Sequence, residues 1–105
     1  MTYYIQISTT DWSKDRILFE DTLSTLEKLC DLKDGYMFNE PVSKFGWTFI
    51  DMVIKADFHM SLEQEFTDQI KKSKDSKPEE KFVTFLTNYL ENNGCKIKLK
   101  LMQSS

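Results

Sequence analysis

The chain has 105 residues, of which 40% are hydrophobic, 30% charged and 13% aromatic, with a formal net charge of −3. That length suits one domain, 1–105, that buries a core without staples. Two Trp, four Tyr and eight Phe exclude a disordered tail, and the acidic balance speaks against a protein that coats DNA.

No apolar run approaches the ~20 residues that cross a bilayer. Residues 1–10 alternate polar and apolar instead of forming a basic stretch and an apolar block, so no secretory leader and no membrane are expected. Cys30 falls at an expected helix end and Cys95 at an expected strand start. Two thiols among apolar neighbours read as buried and free in a reducing cytoplasm, with a disulfide between them left open.

Tyr3, Ile5 and Ile7 alternate with Tyr4, Gln6 and Ser8, the period of a strand with one buried face. The polar turn at 9–13 offers N-caps. Phe19, Leu23, Leu26 and Cys30 then recur at helical steps, with Ile17, Leu18 and Leu29 widening the stripe. Asp34-Gly35 is expected to end this helix. A short strand at 36–38 is broken by Asn39-Glu40-Pro41, because proline donates nothing to a ladder; this segment is an edge or a loop. Residues 47–58, rich in β-branched and aromatic types, give the strongest strand signal. Ser61 and Gln64 have capping-box spacing before a helix with Leu62, Phe66 and Ile70 on one stripe. Residues 71–77 read as a solvated loop, and Ser76-Lys77-Pro78-Glu79 as a second helix start. Phe82, Phe85, Leu86, Tyr89 and Leu90 line that helix, and Asn93-Gly94 stops it. Cys95, Ile97, Leu99 and Leu101 alternate with Lys96, Lys98 and Lys100, a half-buried strand with a lysine face.

This order predicts an α+β two-layer sandwich, ferredoxin-like βαββαβ, with a four-stranded antiparallel sheet and helices on one face. The first strand and the long strand at 47–58 are expected at its centre. Alternation assigns Tyr3, Ile5, Ile7, Ile50, Met52, Ile54, Ile97, Leu99 and Leu101 inward. Tyr4, Gln6, Trp47, Phe49, Asp51, Val53 and the three lysines then stand on the open face. A row of exposed rings marks a partner surface, unless residues 36–45, with Met37 and Phe45, or the C-terminal tail fold over it.

Residues 46–52, Gly-Trp-Thr-Phe-Ile-Asp-Met, resemble the aromatic strand motif of the RNA-recognition-motif family, and residues 3–7, Tyr-Tyr-Ile-Gln-Ile, are similar to its first-strand motif. The resemblance implies bases stacking on Tyr4, Trp47 and Phe49, with Lys96, Lys98 and Lys100 supplying charge. Phe45, Thr48 and Met52 depart from the family pattern. Residues 89–99 resemble the last helix, Gly-Cys turn and strand of the barstar family of ribonuclease inhibitors.

No catalytic, metal-binding or cofactor-binding set is expected. His59 is the only histidine, with Asp57 near enough to orient it. Cys95 is expected to point inward and not to act as a nucleophile, and three glycines leave no phosphate loop. Residues 57–80 hold seven acids, and their four lysines cluster at 71–77. Glu63, Glu65 and Asp68 therefore lack near bases, and an acidic helical layer speeds docking to a basic partner. The expected function is a small non-catalytic cytoplasmic protein-binding domain of inhibitor, immunity or counter-defence (anti-CRISPR-like) type. It would occlude a larger protein, such as a nuclease or other nucleic-acid-handling complex, through Tyr4, Trp47, Phe49, Glu63, Glu65 and Asp68. The alternatives are a single-stranded nucleic-acid binder and, for the open face, a homodimer.

Overall fold

The computed structural model describes residues 2–75 and 77–104. In chain order the elements are β1 (Tyr3–Thr9), α1 (Trp12–Leu29), β2 (Tyr36–Phe38), β3 (Val42–Lys44), β4 (Trp47–Ile54), α2 (Ala56–Glu65), α3 (Thr67–Lys71), α4 (Pro78–Asn92) and β5 (Lys98–Ser104). They make a mixed α+β domain with an antiparallel sheet and helices. The sheet order is β2-β4-β1-β5, with β3 also beside β4. The sheet thus has five strands where four were expected, and the reason is local. β2 pairs Phe38 with Met52, and β3 pairs Val42 with Phe49. Residues 39–41 lie opposite only 50 and 51, so the edge carries one extra residue at Pro41, a bulge that splits one edge strand in two. Because of that residue, odd-numbered Met37 and even-numbered Val42 stand on the same face.

One face of the sheet is closed. Tyr3, Ile5, Ile7, Ile50, Met52 and Ile54 are buried with Phe19, Leu23 and Leu26 of α1, Phe58 and Leu62 of α2, and Phe82 and Leu86 of α4. The strand alternation is therefore as expected, with Cys95 and Ile97 buried and Leu99 and Leu101 packed against the core. Trp12, Phe19 and Phe38 meet edge to face, fixing α1 over the β2 edge.

Several boundaries differ from the reading of the sequence. The strand at 47–58 ends at Ile54; α2 begins at Ala56, so Phe58 enters the core from a helix and Ser61 lies inside α2 instead of capping it. The turn after Ile54 packs against Gly35. A Cβ on Gly35 would lie 2.7 Å from Cγ of Phe58, and the Gly35 carbonyl accepts from the Lys55 amide at 2.9 Å. Gly35 thus serves close packing, while α1 has already ended at Leu29. Ile17, Leu18 and Leu29 are exposed and do not widen its stripe. The helix at Pro78 starts as expected, with Lys77 at the N-cap position; Ser76 lies outside the described residues. β5 starts at Lys98, three residues after Cys95. Both cysteines are free thiols.

Candidate functional site

The hairpin joining β3 to β4 turns on two residues, Phe45 and Gly46, with φ of 52° and 80°. Two central residues at positive φ make the type I′ turn that suits the twist of a hairpin, where Asn-Gly is the preferred pair. Phe45 is a bulky side chain in the left-handed region, which costs on the order of 1–3 kcal/mol. Its ring gains nothing in return, being 100% exposed. It does not fold over the sheet; residues 36–38 and 42–44 pair as edge strands and residues 98–104 are β5, so among the described residues neither alternative cover lies over the open face. The hairpin also overhangs its neighbour. Lys44 pairs with Trp47, while the last residue of β4 that pairs with β1 is Thr48, opposite Thr9.

Behind the overhang lies the open face, built in rows by the register. Val42, Phe49, Ser8 and Lys98 form one row; Asp51, Gln6 and Lys100 the next; Met37, Val53, Tyr4 and Gln103 the third. Tyr4 and Trp47 are 39% and 38% exposed. The Lys98 ammonium sits 5.8 Å from the centre of the Trp47 ring, within cation–π reach. A shallow groove of about 420 Å³ is lined by Gln6, Glu40, Val42, Lys44, Phe49 and Asp51.

The structure therefore brings Tyr4, Trp47 and Phe49 to one face together with Lys98 and Lys100, and Lys96 is exposed just before β5. The rings do not form one stacking platform. Tyr4 is opposite Val53, four residues along β4 from Phe49, a separation of roughly 13 Å at ~3.3 Å per residue. Between them stands the Asp51 carboxylate.

The acidic candidates lie elsewhere. Glu63 and Glu65 are on α2 and Asp68 on α3, in the helical layer on the far side of the sheet. Glu63 is also engaged: its Oε1 is 3.1 Å from Nε2 of His59. One flat partner surface does not touch both sets.

His59 sits on α2, not at a strand end, and Glu63 four residues on orients it instead of Asp57. Its ring packs edge-on to Tyr3 and Phe82, with centroids 4.5 and 4.8 Å away. Its side chain is only 12% exposed, and Nδ1 is buried with no hydrogen-bond partner. Burial lowers its pKa below the ordinary value, against the opposing pull of Glu63. The Cys95 thiol is pushed up to about 11, chiefly by burial and further by Asp15, so it holds its proton, and burial likewise raises Cys30. Among the described residues no three of His, Cys, Asp and Glu gather round a common metal position, and no helix is long and apolar enough to cross a membrane.

Phe45 and Lys44 at the tip, and Met37 and Val42 on the face, were not assigned from the sequence as contact residues. A signal existed for the tip: two residues ending in Gly between two strands read as a type I′ hairpin, which exposes whatever precedes the Gly. Compared with protein-family models, curated proteins and solved structures, the chain matches none.

Proposed function

We propose that this protein is a non-catalytic protein-binding domain whose overhanging β3–β4 hairpin enters a cleft on a larger partner, in the manner of an inhibitor, immunity or counter-defence protein. One observation carries the reading: Phe45 is wholly exposed in a backbone conformation that disfavours it. A residue that costs the fold and packs against nothing there is understood when its ring is buried in a complex. Trp47 and Lys44 flank it, giving a protruding aromatic wedge with a cationic rim. A nuclease or another nucleic-acid-handling complex, with an apolar cleft edged by carboxylates, is the class of partner this chemistry suits.

The topology belongs to the proposal as well. If β2 and β3 are taken as one interrupted edge strand, the antiparallel order β2-β4-β1-β5 is that of a ferredoxin-like split βαβ sandwich. The non-catalytic reading is supported by the packing of His59 between Tyr3 and Phe82 and by the protonated, buried Cys95 thiol. A cytoplasmic location is supported by two unpaired thiols. Single-stranded nucleic acid is the second reading, favoured by Lys98 over Trp47 and opposed by Asp51 between the ring rows.

The test is Phe45→Asn. Asparagine suits the left-handed turn position, so the variant is expected to unfold at the parent's temperature or a few degrees higher. It should lose the protein that the parent retains from lysate of the source cells, identified by mass spectrometry. A partner held equally by parent and variant would remove the wedge from the interface.

A further inference from the structure

The open face carries charges of both signs in a single row. Asp51 of β4, Gln6 of β1 and Lys100 of β5 are register partners across it. With ~4.8 Å between strands, Asp51 and Lys100 stand roughly 10 Å apart, too far to pair within the chain. Among the described residues the salt bridges are Arg16–Glu20 and His59–Glu63, so Asp51 and Lys100, on either side of β1, are opposite and unpaired, with Glu40 of the edge adding a second acid on the Asp51 side. The flanking rows also have β1 in the middle: Phe49, Ser8 and Lys98 on one side, Val53, Tyr4 and Gln103 on the other.

A row with a neutral centre and opposite ends is complementary to itself when turned over. We propose that the open face packs on the same face of a second copy, with the two-fold axis running along β1 between the sheets. That operation exchanges β4 with β5 and keeps each row at its own height. Asp51 then meets Lys100 of the second copy, and the same pair recurs on the other side of the axis. Gln6 meets Gln6 and Tyr4 meets Tyr4 on the axis, while Phe49 faces Lys98. Stacked sheets at ~10 Å leave room for these side chains to interdigitate. A nucleic acid offers no cation for Asp51; a second copy offers Lys100. The inference goes beyond the docking role of the hairpin, whose tip lies past the last β1 row and stays outside the stack.

Size sets the strength. With the axis on β1 only β4, β1 and β5 face counterparts, and three strand positions by seven residues give a projected face of roughly 14 by 23 Å. That is smaller than the ~800 Å² per partner of a standard interface, so association is expected in the micromolar range.

The experiment is sedimentation velocity from about 5 to about 500 µM at low salt, a range that brackets such an interface. The parent should pass from monomer to dimer. Asp51→Lys and Lys100→Asp should each weaken the dimer by roughly tenfold or more, since each sets like charges against one another twice. An equimolar mixture of the two variants restores both opposite pairs and should dimerise within about threefold of the parent. A parent that stays monomeric at every concentration overturns the proposal, as does a mixture no stronger than either variant alone. If circular dichroism shows either variant unfolded, dilution of the isotopically labelled parent reads the same surface by NMR. Shifts gathered on Tyr4, Gln6, Asp51 and Lys100 support the dimer, and shifts elsewhere or none overturn it. Phe45→Asn should dimerise like the parent, so failure of the dimer and failure of the hairpin reading are separate results.

Discussion

Ile5 and Gln6 are adjacent on β1 and point to opposite sides of the same sheet. Ile5, Met52 and Ile50 are sealed under three helices, whereas Gln6, Asp51 and Phe49 line a wet groove. The closed side is held by shape: large side chains from strands and helices interlock, and one missing Cβ at Gly35 lets the Phe58 ring seat. The open side is held only by the ladder beneath it. Its rings stay partly wet, its charges form no salt bridge among the described residues, and its turn carries a phenylalanine in a conformation that suits asparagine. One set of strands therefore supplies both the stability of the domain and a surface with little stake in that stability.

Substitutions on the two sides should separate accordingly. The largest effect is expected for Phe58→Ala, which removes a fully buried ring from the closed side. It should cost about 3–5 kcal/mol in urea unfolding, a large share of the total stability of such a domain. Gly35→Ala places a methyl against that ring and should cost about 1–3 kcal/mol. If it costs nothing, Phe58 is not seated as described. The double change Trp47→Ala, Phe49→Ala on the open side should leave a folded, cooperative domain within about 2 kcal/mol of the parent, because both rings are already partly wet. Collapse of the fold in that variant would mean that the open face is core.

A smaller, pH-dependent difference is expected from the closed side. His59 is held neutral by burial, with its folded pKa below the ordinary value. The unfolded chain therefore takes up the proton first. The stability tied to neutral His59 is whole above pH ~6.5 and is lost as pH falls from there through the folded value. His59→Phe should flatten the thermal midpoint between about pH 7 and pH 5 relative to the parent. An unchanged slope would assign the acid sensitivity to other groups.

Parity was the most legible property of the chain. The alternation read in residues 3–7 and 47–58 places Tyr3, Ile5, Ile7, Ile50, Met52 and Ile54 in the core as far as β4 runs, because a strand has a period of two and one face must be dry. Helix ends near 56 and the split at Pro41 were not legible. Ala56 to Phe58 continues the apolar alternation of β4 and reads equally as strand, whereas Phe58 packs from a helix against Gly35, twenty-three residues earlier in the chain, a long-range contact with no local signal. The partner of His59 was misassigned to Asp57 because residue 59 was read at a strand end; on a helix the residue four positions on, Glu63, is the one the ring meets.

The amino-acid order thus determined which side chains of each strand share a face and where most helices run, since those are consequences of local period and of apolar burial. Tertiary structure alone decided that Asp51 stands between the rings in register with Gln6 and Lys100, that Glu63 meets His59, and that Phe45 projects from a turn. Strand order and register are long-range pairings, and no local signal says which residue of β1 stands beside which residue of β4 or β5.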